Sequence, residues 1–271
     1  MTDVPVWLND RLLPSSVARI DPADRGFLLG DGLFETMRLS GGRAPEQERH
    51  LARLAAGCDV LRLPCPDPAQ LREAIAALAG AVSWRDGSIR LTLTRGAGPR
   101  GLLPPPSPSP TLLLTSAPAP AHVPGPVSLA VSRYIRDGLS PLSRVKSLNY
   151  LPGILARMEA ADTGADDALL CTPDGYISEA SAATFIALSS DGLMTPPLRD
   201  GALPGTSRAR LIEAGLCTEV RIPLSSIRNI RSAWLVTSLS VQPVLRAGDC
   251  ITDVDEASTL QIRSFLFGPA A

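Results

Sequence analysis

The chain has 271 residues, of which 45% are apolar and 20% charged, enough to bury a core in one large or two modest domains. A net charge of −1 and a pI near 6.1 carry no electrostatic footprint for nucleic acid or an anionic membrane, so the expected partner is a small molecule. Five scattered cysteines without a C-x-x-C pair argue against a disulfide framework or a zinc site, and two histidines, His50 and His122, leave little material for a metal cluster or a Ser-His-Asp arrangement.

Val4 to Leu8 and Arg11 to Leu13 flank Asn9-Asp10, a pair that tolerates the positive φ of a tight turn, and predict a hairpin. A turn-rich stretch, Asp21 to Gly26, leads into Gly30-Asp-Gly-Leu-Phe-Glu-Thr-Met-Arg-Leu39. Its two glycines let the backbone pass close to something, and the alternation after Gly32 is that of a strand; a plain loop entering a strand is the alternative. Helices are expected from His50 to Leu61, with Arg53 off the apolar face, and from Gln70 to Ala79. Ser88 to Thr94 alternates as a strand and runs into Arg95-Gly-Ala-Gly-Pro-Arg-Gly101. The prolines of 104–110 require an exposed loop, and Thr111 to Thr115 resumes a buried strand.

The segment 118–126 is short and stiffened by proline, which places a domain boundary there: residues 1–118, a linker over 119–126, and residues 127–271. Beyond it come a strand at Val127 to Val131 and a helix from Leu151 to Ala161 that accepts Pro152 in its first turn. Strands are expected at Ala168 to Cys171 and near Tyr176 to Ser178, then a hairpin from Thr184 to Thr195 turning at Asp191-Gly192. Leu203-Pro-Gly-Thr-Ser-Arg208 opens a helix to Ala214 with Thr206 or Ser207 as its cap. Strands at Val220, Ala233 to Thr237 and Val241 to Leu245, and a helix from Glu256 to Phe265, complete an α/β chain. Met1 to Trp7 has no basic segment followed by an apolar stretch, and no run of about 18 apolar residues occurs, so a cytoplasmic protein is expected.

Lys146 is the only lysine, set against 25 arginines. Arginine does not lose its proton in a protein, whereas a lysine amine can become neutral and nucleophilic and form Schiff bases. A coding bias that left one surface lysine explains the count equally well, so its neighbours must decide. A Schiff-base lysine suggests pyridoxal phosphate, which needs an anion near its ring nitrogen and a cradle for its phosphate. Glu179 lies in an apolar, small-residue stretch where burial would demand a cationic partner; a surface glutamate is the alternative. Gly205-Thr-Ser-Arg208 offers helix-start amides and hydroxyls suited to phosphate, and equally suits an ordinary cap.

Taken together, Gly30 to Thr36, His50-Leu-Ala-Arg-Leu54, Arg95 to Gly101, Lys146-Ser-Leu-Asn-Tyr-Leu151, Gly175 to Phe185, Leu203-Pro-Gly-Thr206 and Thr237-Ser-Leu239 resemble the class IV aminotransferases, the fold type IV pyridoxal phosphate enzymes. Seven stretches in the family's order span nearly the whole chain. The resemblance implies an α/β fold with mixed sheets, a small N-terminal and a larger C-terminal cofactor-binding domain, pyridoxal 5'-phosphate as cofactor, no metal, and a homodimer with its active site near the interface. It implies that Lys146 holds the cofactor as a Schiff base and moves protons, that Glu179 pairs with the ring nitrogen, and that Arg53, Gly205, Thr206 and the hydroxyls of Thr237 or Ser238 hold the phosphate while Tyr150 borders the ring. Two departures stand out: Thr184 replaces the asparagine that many members carry five residues after the glutamate, and Glu46-Gln-Glu-Arg49 is polar for its place.

Substrate choice falls to other positions. Thr36 and the 95–101 loop resemble the lyase form of the family, whereas D-amino-acid aminotransferases follow the arginine matching Arg100 with a histidine two residues on, where this chain has Leu102. Phe34, Arg38 and Arg100 are the candidates for substrate binding; bidentate arginine suits carboxylate groups, and surface solvation is the alternative for both arginines. The expected activity is 4-amino-4-deoxychorismate lyase, with transamination of a D-amino acid, a branched-chain amino acid or an (R)-amine as the alternative.

Overall fold

The computed structural model describes residues 3–268. The chain divides into two compact units, Met1–Ala121 together with Val145–Asn149, and His122–Arg144 together with Tyr150–Ala271. This differs from a simple division at 119–126 in one respect that matters: the segment carrying Lys146 belongs to the first unit, although it lies beyond the proline-rich stretch in sequence.

The first unit is built on a five-stranded antiparallel sheet. Strands β1 (Pro5–Leu8) and β2 (Arg11–Pro14) form the hairpin, with Asn9 at φ +57°. β3 (Gly32–Leu39), β4 (Gly87–Thr94) and β5 (Thr111–Pro118) complete the order β2-β1-β5-β4-β3. Between β2 and β3 a one-turn helix α1 (Arg25–Leu29), unexpected from its turn-rich composition, is capped by Asp24, which accepts from the amides of Gly26 and Phe27. Helices α2 (Gln47–Leu61) and α3 (Pro68–Ala81) lay Leu51, Leu54, Leu71, Ile75 and Leu78 against Leu33, Met37, Leu39, Ile89, Leu91 and Leu93. Strand alternation then leaves Phe34, Thr36 and Arg38 on the opposite face of β3, where register sets Thr36 directly across from Arg90.

The second unit holds a larger mixed sheet: β6 (Val127–Ile135), β7 (Asp167–Cys171), β8 (Ile177–Ala180), β9 (Thr184–Ser189), β10 (Gly192–Thr195), β11 (Cys217–Glu219), β12 (Ser232–Val236), β13 (Val241–Ala247) and β14 (Cys250–Ile251). The order is β11-β10-β9-β12-β13-β6-β7-β8, with β14 beside β13; the β13–β6, β6–β7 and β10–β11 pairs are parallel. Helix α4 (Leu151–Asp162) presses Ala156 and Ala160 onto Ala168 and Leu170. Helices α5 (Thr206–Glu213) and α6 (Glu256–Phe267) cover Trp234 and Val236, and Trp234 Nε1 finds its acceptor in Thr259 Oγ1 at 2.8 Å. The cysteines are free thiols; burial raises those of Cys171 and Cys217 to about 11 and keeps them inert. Among the described residues no helix is long and apolar enough to cross a membrane.

The feature that places the candidate site is the docking of 145–149 on the start of β3. Phe34 N donates to Lys146 O at 2.9 Å and Leu148 N to Gly32 O at 3.0 Å, so the lysine segment runs as a short antiparallel partner of β3. The glycines before β3 make this approach feasible. A Cβ on Gly32 would sit 2.5 Å from Leu93 O and 2.9 Å from Leu148 Cδ1; one on Gly30, at φ +67°, would sit 2.8 Å from Asn149 Oδ1. Gly32→Ala should therefore cost about 1–3 kcal/mol and loosen the lysine segment. Gly80→Ala, on an open face of α3 with nothing within 4 Å of the added carbon, should stabilise by up to about 1 kcal/mol. Thermal melts of both variants check this; equal melting temperatures would contradict it.

Candidate active site

In the first unit Lys146 is half-buried, and its Nζ lies 4.5 Å from the centre of the Phe34 ring. The Arg90 guanidinium carbon lies 3.8 Å from the same ring centre. Thr36 and Arg38 follow Phe34 on that face at strand spacing, so four of the positions singled out in the sequence, Lys146, Phe34, Thr36 and Arg38, share one side of the sheet. Arg90 was not foreseen. Its alternation with Ile89 and Leu91 points it away from the core, but only the β3–β4 register sets it opposite Thr36.

Arg53 sits on the other side of β3, on α2. Its Nε and Nη2 hold Glu35 at 2.8 and 2.5 Å, and His50 Nδ1 lies 2.7 Å from Glu35 Oε2. Burial resists the charge on Glu35, yet the hydrogen bonds from Arg53 and His50 outweigh it and bring the carboxyl below its ordinary value. The paired arginine and carboxylate thus remain charged in a nearly dry position, with the guanidinium orientation set by two bonds. This answers for the polar run before His50: Glu46 to Arg49 lies at the exposed start of α2, while His50 is 1% exposed.

Arg100 is exposed at the tip of the 95–101 loop. The base of that loop is tied down by Asp31, whose Oδ2 accepts from Arg25 Nε and Arg95 Nε, each at 2.8 Å. Burial works against this carboxylate too, but the two guanidinium bonds lower its pKa. Arg25 in turn donates to the carbonyls of Gly101 and Leu102, at 2.9 and 2.8 Å.

In the second unit the remaining candidates form a linked series. Glu179, on β8, is 9% exposed; its Oε1 pairs with Arg136 Nη2 at 2.7 Å and its Oε2 accepts from Leu203 N at 2.9 Å. Burial demanded a cation, and Arg136 is that cation. Two residues after Leu203, Gly205 caps α5 with no side-chain cap bond, so the expected cap by Thr206 or Ser207 is corrected: both lie inside the first turn. Ser207 Oγ instead donates to Thr237 O at 2.9 Å, joining the start of α5 to the turn at 237–240. Thr237 Oγ1 accepts from Leu239 N and Ser240 N within that turn. A Cβ on Gly205 would sit 3.0 Å from Thr184 Oγ1, so Thr184, the departure noted in the sequence, lies close against the start of α5. Tyr150 stands at the start of α4, its carbonyl accepting from Ile154 N at 2.9 Å.

The donor set fits pyridoxal phosphate. The first unit offers one lysine amine; the second, by itself, offers a buried acid paired with arginine and a helix start without a side-chain cap, beside small hydroxyls, where an anion is favoured. No cluster of three or more metal-ligating side chains exists among the described residues.

Comparison with known proteins agrees with this chemistry. The sequence profile of the family described as "Amino-transferase class IV" matches residues 32–247. A putative branched-chain-amino-acid aminotransferase of Methanocaldococcus jannaschii is 30% identical over 77% of this chain and 73% of its own length. A bifunctional aminodeoxychorismate lyase / D-amino acid transaminase of Mycobacterium tuberculosis is 27% identical over 87% of this chain and 88% of its own. The crystal structure of a 4-amino-4-deoxychorismate lyase from Pseudomonas aeruginosa, 30% identical, superposes with a TM-score of 0.83 over 97% of this chain and 99% of that one.

The Glu35 network predicts a pH dependence of stability. Its folded pKa lies below the ordinary 4.5, so its contribution is fully present above that value and is lost as pH falls through the lower folded pKa. Melting temperature should therefore drop below about pH 4.5. Glu35→Gln should flatten that fall while costing about 3–5 kcal/mol near neutrality by removing the buried carboxylate that faces Arg53. An unaltered pH slope in the variant would count against the network.

Proposed function

The chain belongs to the class IV aminotransferase family, whose members are pyridoxal-phosphate-dependent transaminases and lyases, and from that premise we propose that it is a 4-amino-4-deoxychorismate lyase, releasing pyruvate and p-aminobenzoate. The observation that carries the proposal is Thr36. It lies on the same face of β3 as Phe34, the residue beneath Lys146 Nζ, with Arg90 opposite and Arg38 two residues on. A hydroxyl at that place can position a proton, and the flanking guanidiniums suit a substrate bearing acid groups.

Bound pyridoxal phosphate supplies an electron sink for the pair left when a C–H bond beside the substrate nitrogen breaks. The chain supplies the rest. Lys146 Nζ would carry the cofactor, and its amine would take up and return the proton. The Glu179 carboxylate would pair with the ring nitrogen and keep it protonated. Arg53, Gly205, Thr206, Thr237 and Ser238 would hold the phosphate, and Tyr150 would border the ring. Phe34, Arg38, Arg90 and Arg100 bind and orient the substrate.

Transamination is the second reading, and the match to a relative bearing both activities in its name supports keeping it. The two share their early proton transfers and divide at the next step. A lyase would release the three-carbon side chain as pyruvate and leave an aromatic amine, whereas a transaminase would release a keto acid. Leu102 in place of the histidine expected of D-amino-acid aminotransferases supports the lyase. The exposed apolar row on α4, Leu151, Ile154, Leu155 and Met158, supports a homodimer, which light scattering on the purified protein tests.

The deciding experiment supplies 4-amino-4-deoxychorismate to cofactor-loaded protein and follows p-aminobenzoate by fluorescence, beside a panel of amino donors followed through the visible band. Product formation assigns the chain to folate synthesis; bleaching by D-alanine, leucine or an (R)-amine without product assigns transamination. Lys146→Ala should abolish the borohydride-fixable adduct, and an adduct persisting in that variant would overturn the lysine assignment. Thr36→Val should lower p-aminobenzoate formation by about 10²-fold or more while retaining the cofactor; an unchanged yield would remove Thr36 from the mechanism.

A further inference from the structure

Arg136 was not among the residues singled out by sequence, and the chemistry above does not use it. It follows β6 directly and is anchored at three places. Its backbone N donates to Cys171 O at 2.8 Å, its Nε to Gly201 O at 3.2 Å, and its Nη2 reaches Glu179 Oε1 at 2.7 Å. Two glycines allow this fit. A Cβ on Gly138 would sit 1.8 Å from Arg199 O, and one on Gly201, at φ +90°, would sit 3.0 Å from Arg136 Cβ. The turn at 198–201 is held from its other side, because the buried Asp200 accepts from Arg221 Nε at 2.9 Å. The same stretch of chain continues to Leu203, whose amide holds Glu179 Oε2.

Both oxygens of Glu179 are therefore fixed, one by a cation and one by an amide. The carboxylate is thereby held in a fixed direction. The guanidinium also places a permanent cation against the buried carboxylate. An acid this buried drifts toward its neutral form unless a permanent cation opposes the desolvation, and arginine cannot surrender its charge. A neutral Glu179 could not hold a protonated ring nitrogen.

We propose that Arg136 is a positioning residue that acts through Glu179, holding its carboxylate aimed for the ring nitrogen of pyridoxal phosphate. This rests on the cofactor assignment made above for Glu179. Arg136→Gln should then behave as a weaker Glu179→Gln. It should shift the visible band of the bound cofactor in the same direction as Glu179→Gln across a pH titration, and lower kcat about tenfold or more with KM held within about twofold.

Four proteins decide the matter: Arg136→Gln, Arg136→Lys, Glu179→Gln and the double variant. Each is titrated as apoprotein with pyridoxal phosphate and followed by absorbance, then assayed for turnover. Arg136→Lys should restore most of the wild-type spectrum and kcat, and Arg136→Gln should change neither much further in the Glu179→Gln background. An unshifted band in Arg136→Gln, independent additive effects in the double variant, or a change confined to KM would each overturn the proposal. A wild-type protein that forms no visible band with the cofactor would fell the functional reading itself, whereas a normal wild-type band with an indifferent Arg136→Gln would fell the role of Arg136 alone.

Discussion

The arrangement of the first unit depends on one backbone contact, the pairing of 145–149 with the opening of β3. Two amide-to-carbonyl bonds and two glycines bring a segment from far along the chain against the edge strand of the small sheet. Backbone bonds of this kind are indifferent to side-chain chemistry, so they deliver Lys146 to a set place without engaging its side chain. Phe34 then has two jobs: its amide holds the lysine backbone and its ring lies beneath the lysine amine.

A second constraint recurs in both units, the stabilisation of buried carboxylates by guanidinium groups. Glu35 with Arg53, Asp31 with Arg25 and Arg95, and Glu179 with Arg136 each place an acid where burial opposes its charge and meet it with arginine. Arginine suits this work because it is always charged and offers several donors in a rigid fork. The composition now has a physical sense. These structural cation positions are filled by a residue that cannot lose its proton, and the only lysine lies beside Phe34.

Much of this was legible in sequence because it is local. The hairpin around Asn9, the alternation of β3 and β4, the helix beginning near Pro152 and the final helix all follow from spacing and turn residues, and differ from the structure by a few residues at their ends. The boundaries that moved did so for identifiable reasons. α2 begins at Gln47, earlier than its apolar spacing indicates, because its polar first turn is exposed, and α1 was missed because one turn held by an Asp24 cap has no periodicity to read. The start of α5 was located correctly, but its cap was assigned to hydroxyls that the structure puts inside the helix.

By itself the sequence determined the chemical inventory: one lysine, an acid in an apolar stretch, a glycine-led helix start, and the order of motifs that marks the family. These are properties of residue type and spacing, which survive in one dimension. Tertiary structure decided pairings. It chose Arg136 from among 25 arginines as the partner of Glu179, set Arg90 opposite Thr36, turned Arg53 toward Glu35, and assigned the lysine segment to the first unit. Strand register and the approach of distant turns settle such partnerships, and both arise from contacts between residues tens of positions apart that no local pattern records.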